Sequence, residues 1–261
     1  MTRSRTFRRV PRGALAGSLS LAAALALVAA FIPAACRAQE TDAMDVVRLP
    51  PPRTDGEMPV ETALSGRRSV RSFRPDALAL EELGQVLWAA QGVSRPVPDA
   101  PAGFPPEWKG GLRTAPSAGA LYPLELHAVV GAVEGLEPGL YRYLPVEHAL
   151  RREATGDLRA HLSAAALGQG FIGEAPVSLV VAGVVARTAA KYGDRAGRYV
   201  HMEVGAAAEN VYLQCASLGL ATVLVGAFRD ADVARALRLP AEEDAFAILP
   251  IGRPAAEGPR R

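Results

Sequence analysis

The run Val177–Val185 constrains the fold more than any other part of this 261-residue chain. It reads Val-Ser-Leu-Val-Val-Ala-Gly-Val-Val, nearly all apolar and rich in valine. β-Branched side chains favour extended backbone, and a strand that is apolar at successive positions is covered on both faces. A buried central strand is expected there. Leu80, Leu83, Val86, Leu87 and Ala90 fall on one face of a helix of about three turns, which Gly92 closes. Tyr199–Leu218 reads as a long helix stopped by Gly219, with shorter helices at Leu158–Leu167 and Ala231–Leu237. Further strands are expected at Leu124–Val133, Gly139–Tyr143, Thr222–Val225 and Ala245–Ile251. There is no internal repeat. Residues 93–112 hold five prolines and Trp108 and read as a long loop, a length that in a compact domain is usually functional or disordered. The fold class is α+β: one domain with a buried sheet and a long central helix.

The N-terminus carries a separate message. Arg3, Arg5, Arg8, Arg9 and Arg12 precede an uncharged stretch from Gly13 to Ala35, and Cys36-Arg37-Ala38 follows. A basic start, an apolar middle and small residues before Gln39 make an export signal over residues 1–38. An uncleaved membrane anchor and a lipid attached at Cys36 are the other readings of this segment. The protein is thus expected outside the cytoplasm, periplasmic or anchored on the outer side of a bacterial membrane. Residues 39–62 are polar, contain Pro50-Pro51-Pro52 and read as a linker; the domain spans 63–254, and 255–261 is a tail.

The formal charge of +2 belongs to the signal. Its six arginines leave 23 basic against 27 acidic residues, a mature net charge of −4. That gives no footing for a nucleic-acid partner. One cysteine beyond the signal, Cys215, excludes an intrachain disulfide, and His127, His148, His161 and His201 are too scattered for a metal site.

Three segments are candidates for chemistry. Arg67-Arg68-Ser69-Val70-Arg71 gathers three guanidiniums and a hydroxyl, which suits a phosphate because arginine binds it in bidentate fashion. A solvated basic turn is the alternative. Thr114-Ala-Pro-Ser-Ala-Gly-Ala-Leu-Tyr-Pro123 is a run of small residues before a strand, where backbone amides and carbonyls can meet the edge of a flat ligand. An ordinary turn is the alternative there. Val225-Gly-Ala-Phe228 and Gly252-Arg253-Pro254 end two strands, the usual place for ligands in such sheets.

In this order, these segments resemble the nitroreductase-like FMN-dependent oxidoreductases, and within them the SagB/ThcOx-type dehydrogenase branch. The motifs are Ser65-Gly-Arg-Arg-Ser-Val-Arg-Ser-Phe73, Leu87-Trp-Ala-Ala-Gln-Gly92, Arg113–Pro123, Gly139-Leu-Tyr-Arg-Tyr143, Arg187-Thr-Ala-Ala-Lys-Tyr-Gly193, Arg198-Tyr199, Leu218-Gly-Leu220, Val225–Phe228 and Leu249-Pro-Ile-Gly-Arg-Pro254. The resemblance implies a nitroreductase-like fold, a central and mostly antiparallel sheet flanked by helices. It also implies FMN bound at the interface of a homodimer. Carried over by motif, Arg67, Arg68, Ser69, Arg71 and Arg253 would hold the FMN phosphate. Pro116, Ser117, Ala118 and Gly119 would meet the ring, and Val225, Gly226 and Ala227 would lie near its N5.

Characterised relatives oxidise azoline rings in peptides with a catalytic Lys-Tyr pair, which matches Lys191-Tyr192. A desolvated lysine can remove a proton beside the carbon that gives up hydride, and tyrosine can orient or relay. Only two of the 29 basic residues are lysines, Lys109 and Lys191, so a lysine at this motif carries weight. A surface pair is the alternative. The central helix departs from the family pattern, with Ala206 for a histidine and Glu209 for a glutamine. The substrate would be a small molecule or a peptide. Two other readings stay open: a nitroreductase or quinone reductase driven by reduced nicotinamide, and a flavin-binding protein without turnover.

Overall fold

The computed structural model describes residues 46–96 and 110–255. The export signal with Cys36, the middle of the proline-rich loop with Trp108 and Lys109, and the end of the tail lie outside the described residues.

Strand β1 (Val46–Arg48) is followed by helices α1 (Val60–Gly66) and α2 (Leu80–Gln91) and a small hairpin, β2 (Val93–Arg95) with β3 (Leu112–Arg113). Then come β4 (Leu124–Val130), β5 (Gly139–Leu144), β6 (Ala149–Thr155), α3 (Arg159–Ala165), α4 (Gly170–Glu174), β7 (Val177–Gly183) and α5 (Val185–Tyr192). The long α6 (Ala196–Ser217), β8 (Ala221–Thr222), α7 (Asp230–Leu237) and β9 (Asp244–Gly252) complete the order. Seven strands form one sheet in the order β1-β6-β5-β4-β7-β9-β8, and every neighbouring pair is antiparallel. This is the expected α+β architecture.

The valine-rich run is β7, buried at all its positions between β4 and β9. Its side chains alternate between two cores, as strand geometry requires. Leu179 and Val181 join Leu126, Ala128 and Leu249 under α2 and α6, packed against Leu83, Val86, Val204 and Val211. Val180 joins Val129 and Ile248 on the other face, covered by Leu162, Ile172, Val233 and Leu237 from α3, α4 and α7.

The structure departs from the sequence reading at three places. The stretch read as a linker belongs to the domain from Val46 onward: β1 pairs with β6, Leu49 is buried, and α1 begins at Val60. The Gln85 side chain of α2 holds it, accepting from the Arg53 amide at 2.8 Å and donating to the Arg53 carbonyl at 3.0 Å. Strand β6 went unread because Arg151, Arg152 and Glu153 break its apolar pattern. The strand expected over Thr222–Val225 is only two residues long. At Leu224 the backbone amide turns to the Tyr212 hydroxyl (2.8 Å), and pairing resumes only as a bridge between Val225 and Ile248.

Candidate cofactor and catalytic site

The arginine-rich segment leaves α1 and lies beside β8, where the Val70 amide donates to the Thr222 carbonyl at 3.0 Å. It forms one wall of a cavity of about 770 Å³, lined by Arg67, Arg68, Ser69 and Arg71 with Tyr212 and Thr222 opposite. The Ser69 and Tyr212 hydroxyls share a hydrogen bond of 2.9 Å, and the Arg67 guanidinium stands 5.0 Å over the Tyr212 ring. Arg68 turns back to the carbonyls of Ser65 and Arg67. Thr222 Oγ1 is buried here without a hydrogen-bond partner.

Arg253 departs from expectation. The backbone beyond it lines the cavity at Pro254 and Ala255, but its guanidinium pairs with Glu82 at 3.0 Å. Glu82 also accepts from the Ala79 amide at the start of α2, a capping contact.

The small-residue turn and the Lys-Tyr pair meet because of topology. β4 and β7 are antiparallel, so the chain enters β4 at the end of the sheet where it leaves β7 for α5. The Val184 amide donates to the Pro123 carbonyl at 2.9 Å and locks the two connections together. Within the turn the Tyr122 amide donates to Ser117 Oγ at 2.9 Å, and Gly119, Ala120 and Tyr122 all adopt positive φ. Backbone in this region persists only where its surroundings hold it. A methyl built on Gly119 (φ 63°) would stand 2.8 Å from the Tyr192 hydroxyl and 3.0 Å from Lys191 Nζ. The pair at the end of α5 therefore rests on Gly119. Tyr192 is held edge-on by Tyr199 (5.0 Å between centroids), whose hydroxyl accepts from Arg195 Nε at 3.0 Å. Lys191 is exposed, so the described residues of a single chain do not desolvate it.

Two side chains not read as site residues support the turn. Glu203 of α6 is only 5% exposed; one of its oxygens accepts from the Ala118 amide at 2.9 Å, and the other has no partner. Burial pushes its carboxyl above the usual range, while hydrogen bonds from Ala118 and Ser117 pull the other way. Arg187 of α5 donates to the Tyr122 carbonyl and to Glu125 Oε1 (2.8 Å). Behind it runs a chain of charges. Arg142 joins Glu125 (2.9 Å) to Glu243 (2.8 Å), and His127 lies between Glu243 (2.7 Å) and Glu153 (3.0 Å). Burial opposes a charge on His127, yet the bonds to both carboxylates outweigh it and raise its pKa. Sequence offered one hint, Glu125 and His127 inside the otherwise apolar β4.

The third segment stays apart. Val225 is buried, Gly226 and Ala227 are exposed, and the Ala227 carbonyl accepts from Gln169 Nε2 at 2.8 Å. None of the three lines the arginine-rich cavity. The other two segments are separated by α6 itself. Tyr212, which holds Ser69, lies nine residues after Glu203, which holds Ala118. At 1.5 Å and 100° per residue that is about 13 Å along the helix and half a turn around it.

The chain belongs to the nitroreductase family, which residues 64–253 match. It is 43% identical over 197 residues to a protein of Methanocaldococcus jannaschii assigned by name to the nitroreductases, covering 76% of this chain and 92% of that protein. A crystal structure from Ralstonia eutropha, also assigned to the nitroreductases, superposes with a TM-score of 0.68 at 34% identity, covering 82% of this chain and 91% of that one. The E. coli microcin synthetase complex, solved with a truncated pro-microcin bound, contains a chain that shares the fold: TM-score 0.60, 21% identity, with 85% of this chain and 82% of that one covered. The protein is a nitroreductase-family oxidoreductase.

Proposed function

We propose that this chain is an FMN-dependent dehydrogenase of the SagB-type branch, acting as a homodimer with FMN shared between two chains. The observation that carries the reading is the contact of Lys191 and Tyr192 with Gly119. It joins a base and a hydroxyl to the turn that the family resemblance assigns to the flavin ring.

The residues fit FMN at both ends. Thr222 Oγ1 is a buried hydroxyl still open to a partner, in a cavity walled by Arg67, Ser69 and Arg71. That set would hold a phosphate. Gly119 lets Lys191 and Tyr192 close on the turn, where a Cβ would push them away. Because α6 holds the two ends about half a turn apart, a ligand that touches both is best served by the cavity of one chain and the turn of another. Along the outer side of α6, Met202 is 62% exposed next to Gly205, Ala206 and Leu213, a surface a second copy would cover. Such cover would also desolvate Lys191.

FMN supplies an acceptor for hydride at N5. Lys191 removes the proton from the atom next to the carbon being oxidised, and Tyr192 orients that atom. The protein is proposed to be exported, on the basic and apolar character of residues 1–38.

Lys191→Ala is expected to keep its flavin and lose turnover by about 10²–10⁴-fold, the usual worth of a positioned base. A second reading has support from the relatives named as nitroreductases: reduction of an acceptor by reduced nicotinamide. That activity would survive the loss of Lys191, so undiminished turnover in Lys191→Ala favours it.

A further inference from the structure

We propose that Arg187 is a positioning residue that sets where Lys191 Nζ stands against Gly119. This deepens the reading of Lys191 as the base and rests on it for its consequence in turnover, though not for the geometry.

Arg187 and Lys191 are four residues apart on α5, so their side chains leave the same helical face. Both reach the same turn. Arg187 Nη1 donates to the Tyr122 carbonyl at the far end, and Lys191 packs on Gly119 at the near end. One contact would leave a short helix free to roll about its axis; two contacts one helical turn apart set its rotation. Tyr122 contributes by its backbone. Its φ of 45° lies outside strand geometry, and the carbonyl is taken by Arg187 as the chain turns into β4.

Arg187 is itself held from behind. Its second nitrogen pairs with Glu125 Oε1 at 2.8 Å, and the other oxygen of Glu125 pairs with Arg142 at 2.9 Å. Arg142 continues to Glu243, and Glu243 to the buried His127. The side chain therefore spans a carbonyl and a carboxylate in fixed directions, a bidentate duty that lysine cannot reproduce.

The scarcity of lysine makes the position of Lys191 directly measurable. Reductive methylation with ¹³C-formaldehyde labels Lys109, Lys191 and the N-terminal amine of the flavin-loaded protein, so the NMR spectrum is simple. Assignment follows from Lys109→Arg. In Arg187→Gln the Lys191 signal is expected to move, with the Lys109 signal unchanged. The same variant should lower kcat by about tenfold or more with KM nearly held, as for a misplaced base. Arg187→Lys keeps a charge against Glu125 and is the variant to use if the glutamine form does not fold; it should show the same displacement in smaller degree. A Lys191 signal that matches the wild type in a folded Arg187 variant would overturn the proposal while leaving the base role intact. A displaced signal with undiminished kcat would overturn the link between position and chemistry. Full activity in Lys191→Ala is a different failure, that of the base role itself.

Discussion

The two ends of the candidate site are built in opposite ways. At the cavity end, Arg71 is exposed, Arg68 folds onto its own backbone, and Ser69 and Tyr212 provide the one side-chain hydrogen bond across the wall. At the turn end, three residues at positive φ are held by Ser117, by Glu203 and by Arg187 with its chain of partly buried charges. On the proposed reading, the difference follows from what each end would recognise. A phosphate is compact and doubly charged, so arginines can gather on it from several directions. A ring edge and a reacting carbon need donors and a base already in place, because rigid placement is what accelerates a reaction. Loose electrostatics suffice for holding; fixed geometry is needed for chemistry.

The sharpest way to break this contrast is to loosen the charges behind the turn. His127→Gln removes the imidazole that joins Glu243 to Glu153 and is expected to destabilise by about 3 kcal/mol, the lower end for a buried pair because Arg142 still reaches Glu243. The pH dependence has a definite sign. His127 holds its proton more tightly when folded, so its contribution is full below the usual imidazole value of 6.5 and fades as pH rises through the folded value. For Glu153 and Glu243 burial works against ionisation, but the bonds to His127 and Arg142 prevail and lower both pKa values. Their contribution is full above the usual 4.5 and is lost on acidification. Thermal melting against pH should peak between those values, and His127→Gln should lack the alkaline decline.

Next in size is Gly119→Ala. Left-handed backbone costs about 1–2 kcal/mol in a residue with a Cβ, and the new methyl displaces Lys191 Nζ and the Tyr192 hydroxyl. Melting should fall by that amount while turnover falls further than stability explains. At the cavity end the expected effects are smaller and confined to affinity. Arg71→Ala should weaken FMN by about 1 kcal/mol or less, the worth of a solvent-exposed charge pair. Arg253→Ala should weaken it less, because that guanidinium faces Glu82. Equilibrium titration with FMN ranks the two, and a larger loss for Arg253 would mean that it leaves Glu82 for the phosphate.

The sequence made the core legible because burial writes itself into apolar spacing. Leu83, Val86 and Leu87 spell α2, and the unbroken valines spell β7. What it hid were pairings between distant polar residues. Glu153 looks like a surface acid until His127 lies beside it, and that hides β6. Glu82 and Arg253 are 171 positions apart, and nothing local announces that one occupies the other. The motifs of the site were visible one by one, but their grouping was not. Only the antiparallel register of β4 and β7 brings Gly119 to Lys191, and only the length of α6 keeps that pair from Arg67.

The central claim is that the two ends close on one flavin across two chains. Sedimentation of the purified protein, followed at the visible flavin band, tests it most directly. The expected result is a dimer carrying one FMN per subunit, with flavin lost on dilution to the monomer. A monomer that keeps a full complement of FMN would contradict the shared site, and a colourless protein that refuses added FMN would contradict the cofactor itself.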